Sequence, residues 1–140
     1  MASLEDIRSA IDTALSAASS ATVAIRPVQE LDGDANVSGN AVAALVQFAG
    51  ANYLTVTGGE GDGLTFTITV AAPKTRAGRR MLDALVDPDP DSTTSLRNLI
   101  NGTLGDVVAW FNVASASGYA DETIGEGDYM TVDFTCEVGT

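Results

Sequence analysis

Any chemistry in this chain would have to run on carboxylates, because histidine is absent and cysteine occurs once, at Cys136. Without histidine the usual general base near neutral pH is missing, as is every Ser-His or Cys-His nucleophile pair and most zinc sites. A single cysteine excludes an intrachain disulfide and any Cys-rich zinc site. Two carboxylate patterns remain. Asp87, Asp89 and Asp91 occupy the first three ligand positions of an EF-hand-like loop, but Ser92 stands where glycine is needed and Asn98 where a bidentate glutamate is wanted. Pro88 and Pro90 stiffen the segment, so it reads as a rigid acidic turn. The Asp32 loop fails in the same way, with Val37 in the glycine position. Asp121, Glu122, Glu126 and Asp128 are acids of the kind a glycosidase pairs, yet they fall in one short stretch. One Trp, three Tyr and four Phe are a thin supply for a sugar platform, which favours a solvated acidic loop. Cys136 lies on the inward set of an alternating strand and reads as a small buried apolar side chain, not a nucleophile.

The glycines at 58, 59, 61 and 63 have the density of a phosphate cradle. A cradle needs a helix N-terminus after it, whereas a strand follows here, and Glu60 and Asp62 would repel phosphate. A flexible hairpin tip fits better. Lys74, Arg76, Arg79 and Arg80 are four of the seven basic residues, in a chain whose 19 acidic residues set a net charge of −12. Three readings compete for this cluster. It is a solvated helix face neutralised by Asp83 and Asp87, a phosphate-backbone contact, or a contact with an acidic neighbour. The second lacks interleaved aromatics to stack on bases, and an acidic surface repels nucleic acid. The third is natural for identical subunits that carry both a basic cluster and acidic loops. Such copies join head to tail and form a ring when the rotation closes.

The elements that must position these groups fit one domain, residues 1–140. At 14.3 kDa the chain buries about two thirds of its open-chain surface, and its 45% apolar and 19% charged content is that of a globular fold. No run of eighteen apolar residues suggests a membrane span. Met1 to Ile11 carries Glu5 and Asp6 where a signal peptide would carry cations, so synthesis without secretion is expected. Residues 3–17 predict an amphipathic helix, with Ser3 and Asp6 as a capping box. Residues 23–41 read as loop with a short strand at 23–25, which Pro27 confines to an edge. An apolar run at 42–49 and a second at 52–57 precede the glycine-rich tip. Leu64 to Val70 then alternates as a strand and makes a hairpin with what precedes it. Thr75 caps a helix through Leu85, and Ser92 or Thr93 caps a short helix that Asn101-Gly102 stops. A strand at 107–114, an acidic loop at 118–128 and a strand alternating from Met130 to Val138 complete the chain. The expected class is α+β: a mostly antiparallel sheet packed with an N-terminal helix and two central helices.

The stretch Lys74-Thr75-Arg76-Ala77-Gly78-Arg79-Arg80-Met81-Leu82-Asp83-Ala84-Leu85 runs into a Pro-Asp turn and the helix Ser95-Leu96-Arg97-Asn98-Leu99. Leu104-Gly105-Asp106, a strand, Gly118-Tyr119 and a threonine-rich last strand follow. This order resembles the small tail terminator, or tail completion, proteins of long-tailed bacteriophages, best over residues 64–138 with the N-terminal helix. Residues 23–41 depart from it, since only Pro27 stands where such proteins carry a proline-rich extended segment. The resemblance implies a virion protein, assembled in the host cytoplasm, that forms a hexameric ring on the head-proximal end of the tail tube. There it ends tube polymerisation and meets the head–tail connector. It implies no catalysis, no cofactor and no membrane partner. DNA would pass through without specific binding, along a lumen for which Glu60, Asp62, Asp121, Glu122, Glu126 and Asp128 are candidates. Lys74, Arg76, Arg79 and Arg80 become candidate contacts to the next subunit or the tube. A tail-tube subunit or head–tail adaptor is the nearest alternative, and a small acidic module that binds a basic protein is the rival from another class.

Overall fold

In the computed structural model the described residues are 3–19, 23–31, 41–52, 63–101, 103–104, 107–124 and 127–139. The order of elements is α1 (Leu4–Ala17), β1 (Ala24–Val28), β2 (Ala41–Asn52), β3 (Gly63–Pro73), α2 (Arg76–Val86), α3 (Leu96–Ile100), β4 (Trp110–Ala116), β5 (Ala120–Ile124) and β6 (Gly127–Gly139). The sheet runs β1-β2-β3-β6-β4, and β5 also pairs with β6. Only the β1–β2 pair is parallel, so the sheet is mostly antiparallel and the α+β class holds.

Alternation over residues 64–70 of β3 and 132–138 of β6 explains the layering. Leu64, Phe66, Ile68 and Val70 pair with Val138, Cys136, Phe134 and Val132, and all eight are buried. The apolar stripes of the three helices join the same core: Ile7, Ile11 and Leu15 from α1, Met81, Leu82 and Leu85 from α2, Leu96 and Ile100 from α3. Thr65, Thr67, Thr69, Asp133 and Glu137 take the opposite face by the two-residue period. There Thr69 Oγ1 donates to Asp133 Oδ1 at 2.7 Å. At one end of β6, Gly139 lies against the indole of Trp110, which stays half exposed. Burial pushes the Cys136 thiol up to about 12, which makes it a core side chain of low reactivity.

The capping box of α1 forms as read: Asp6 N donates to Ser3 Oγ and Ser3 N to Asp6 Oδ2, both at 3.1 Å. Other boundaries move. The strand expected at 23–25 is β1 at Ala24–Val28, an edge strand that includes Pro27. The first run continues past Gly50 to Asn52 in one strand, β2, whose register shifts between Phe48 and Gly50, and the second run from residue 53 onward lies outside the described residues. Pairing of β2 with β3 forms the expected hairpin as far as Asn52 opposite Gly63, and residues 53–62 lie outside the described set. The N-cap of α3 is Ser95, not Ser92 or Thr93. Ser92 Oγ instead accepts from Thr94 N and Ser95 N and tightens the turn before the helix. β4 starts at Trp110, since the amides of Val107 and Val108 donate to Leu104 O and make a turn. The acidic loop is also corrected: Ala120–Ile124 is strand β5, which continues the edge begun by β4.

Candidate functional site

The basic cluster sits where β3 hands over to α2. Thr75 caps α2, its Oγ1 accepting from Gly78 N at 3.0 Å. A Cβ at Gly78 would stand 1.9 Å from Pro73 O, so only glycine lets the first turn of α2 lie on the end of β3. With Gly78, Met81, Leu82 and Leu85 inward, helical geometry turns Arg76, Arg79 and Arg80 outward, and all three are exposed.

Of the two acids expected to neutralise this face, neither pairs with it. Asp83 Oδ1 accepts from Tyr119 OH at 2.5 Å, tying α2 to the segment before β5. Burial and that hydrogen bond raise the Tyr119 phenol above its ordinary value, with Arg79 pulling weakly the other way. Asp87 Oδ1 accepts from Asp89 N at 3.1 Å. The single ion pair among the described residues is Lys74 Nζ to Asp121 Oδ2 at 3.1 Å, both side chains at least half exposed. Exposed pairs of this kind contribute about 0–1 kcal/mol. Arg76, Arg79 and Arg80 therefore have no carboxylate within ion-pair reach among the described residues.

The candidate acids separate. Asp121, opposite Met130, points to the helix side and meets Lys74, while Glu122, opposite Tyr129, points to the other side. Asp128 joins the Lys74 corner through its backbone, since Lys74 N donates to Asp128 O at 3.2 Å, and its Oδ1 accepts from Thr123 Oγ1. Glu60, Asp62 and Glu126 lie outside the described residues. The structure thus brings Lys74, Asp121 and Asp128 to one corner and leaves the three arginines beside it without an ion-pair partner among the described residues.

The Asp87–Asp91 segment is a turn, as read. Asp89 Oδ1 accepts from Asp91 N at 2.9 Å, and Asn98 Nδ2 reaches the carbonyls of Asp89, Pro90 and Ser92. Asn98, at the position where a calcium loop wants glutamate, is an amide clamp. No group of three or more His, Cys, Asp or Glu among the described residues is placed to hold a metal ion. A hollow of about 410 Å³ between α1 and α3 is lined by Ala10, Ala14, Leu99, Leu104 and Val107 with other small residues, and none of its lining side chains is charged. Sequence reasoning missed Asn98 and Tyr119 as fasteners, because their partners are set by folding. No described helix is long and apolar enough to cross a membrane. No protein-family model matches the chain, and no curated protein matches it.

Proposed function

We propose that this chain is a structural subunit that acts by self-association, closing a ring of the tail-terminator kind at the head-proximal end of a phage tail tube. In that role it stops tube growth, meets the tube protein and the head–tail connector, and lets DNA pass without specific binding. One observation carries the reading. Three arginines stay exposed at the N-terminal end of α2 without a carboxylate partner among the described residues, in a chain of net charge −12. The helix macrodipole places positive potential at that end, so each cation there costs about 0.3–1 kcal/mol at low ionic strength. Such a placement works against the lone subunit and suits a contact with an acidic surface of another copy.

Sedimentation velocity across a concentration series, with negative-stain micrographs, tests the reading. The expected result is a discrete closed ring. Long tubes would move the assignment to a tail-tube subunit. A monomer at every concentration that captures basic proteins would support the acidic binding module and end the ring proposal.

A further inference from the structure

We infer that the basic end of α2 is the seat for the Asp87–Asp91 turn of a second copy of this chain, so that the two ends of one helix form the two halves of a head-to-tail contact. The inference rests on the self-association reading above and names its surfaces. The seat is an open recess of about 440 Å³ lined by Lys74, Thr75, Arg76 and Arg79, with Met130 as an apolar wall. Around this seat Asp121 is engaged by Lys74, Asp83 by Tyr119 and Asp128 Oδ1 by Thr123 Oγ1. Among the described residues no carboxylate pairs with Arg76, Arg79 or Arg80, which leaves their charge to meet another chain.

The plug is already shaped. Pro88, Asp89, Pro90 and Asp91 are exposed in succession. Asp87 and Asp89 each use Oδ1 on the amide two residues on, which leaves the second oxygen of each without a hydrogen-bond partner among the described residues. Arg97 Nη2 donates to Pro88 O and sets one cation near the turn, against three carboxylates. Two prolines and the Asn98 clamp fix the backbone, so docking would order little that is not already ordered.

Geometry makes the contact intermolecular. α2 has 11 residues, and at 1.5 Å per residue its ends stand about 16 Å apart. A copy that places its turn on a neighbour keeps its own basic end open for a third, which is the heterologous arrangement that closes rings. Asp121 and Asp128 each contact Lys74 of the seat in their own chain, the first by its side chain and the second by its backbone carbonyl.

Charge reversal in the full chain tests this. Arg79→Glu with Arg80→Glu makes the seat acidic, and Asp89→Arg with Asp91→Arg makes the plug basic. Circular dichroism confirms the fold of each, and sedimentation velocity reads assembly. Each pair of reversals alone is expected to weaken association by about tenfold or more. Mixing the two variants in equal amounts restores it, because each then offers the other a complementary surface. Loss of assembly in the Arg variant without restoration on mixing would overturn the Asp87–Asp91 turn as the plug and leave self-association standing. Unchanged assembly in either variant would overturn the contact too. A wild-type chain that stays monomeric throughout would overturn the contact and the self-association reading together.

Discussion

α1 and α2 are helices of similar length, each laid on the same core by a stripe of buried residues, but their N-terminal ends are charged in opposite senses. α1 opens with a reciprocal capping box and has Glu5 and Asp6 in its first turn, where the dipole favours anions. α2 opens on Thr75 and has no acid in its first turn, which instead carries Arg76 and Arg79, with Lys74 just before it and Arg80 just after. The first end is arranged for the stability of its own chain. The second is capped by Thr75 and then loaded against the field. Local stability does not account for the charge at the start of α2.

The largest expected effect tests how rigidly α2 is held. Gly78→Ala puts a methyl into the Pro73 carbonyl and should cost about 2–3 kcal/mol in urea unfolding, a strain response that overpacked sites show. A cost below 0.5 kcal/mol, with ~0.5 taken as the limit of an ordinary surface change, would mean that α2 slides easily on the sheet. Next come the caps. Ser3→Ala and Thr75→Ala should each lose about 1 kcal/mol, and similar values would show that both ends obey the same capping rule. Charge then separates them. Arg76→Glu should raise unfolding stability by about 0.3–1 kcal/mol while weakening assembly, whereas Glu5→Arg should lower stability by a similar amount and leave assembly intact. A stability loss in Arg76→Glu would remove the contrast between the helices.

Titration sharpens the same contrast with smaller effects. The Tyr119 phenol, held to α2 by Asp83, has a raised pKa, so folding favours its protonated form. Its contribution is complete below the ordinary value of 10.0 and is lost as pH rises beyond it. Tyr119→Phe should flatten that alkaline decline, as thermal unfolding across the range would read. Asp12 on α1 is the acid counterpart. Burial raises its carboxyl, with Arg8 partly opposing, and its Oδ1 has no hydrogen-bond partner among the described residues. The charged form is thus slightly unfavourable in the fold at neutral pH, and the cost fades as pH falls through the usual carboxylate range. Asp12→Asn should raise the unfolding midpoint slightly at pH 7 and have no benefit in acid.

What the sequence disclosed follows from how each element is buried. β3 and β6 bury alternate residues and were legible from their two-residue period. α1 was legible from Ile7, Ile11 and Leu15 with a capping box before them. β5 was hidden because Ala120, Asp121, Glu122 and Thr123 are all exposed, so its polarity follows no period. It is held by backbone pairing to β6 and not by burial. The start of β4 was misplaced because Val107 and Val108 look like strand residues but pack as a turn. At the site, the basic cluster was visible as four cations in seven positions. Its pairing was not, since Lys74 meets Asp121 and Asp83 meets Tyr119 across distances in sequence that only the sheet closes.

The indole on Gly139 gives the molecule an optical marker. Trp110 is the one tryptophan in the chain, and it marks the end of β6 opposite the Asp128 corner. At about 3.4 Å per residue the 13 residues of β6 set these ends roughly 40 Å apart. Emission from this ring therefore reports on a region remote from the basic recess. A blue shift when copies come together would mean that water leaves the far corner of the sheet as well, and an unchanged spectrum would leave that corner outside the contact.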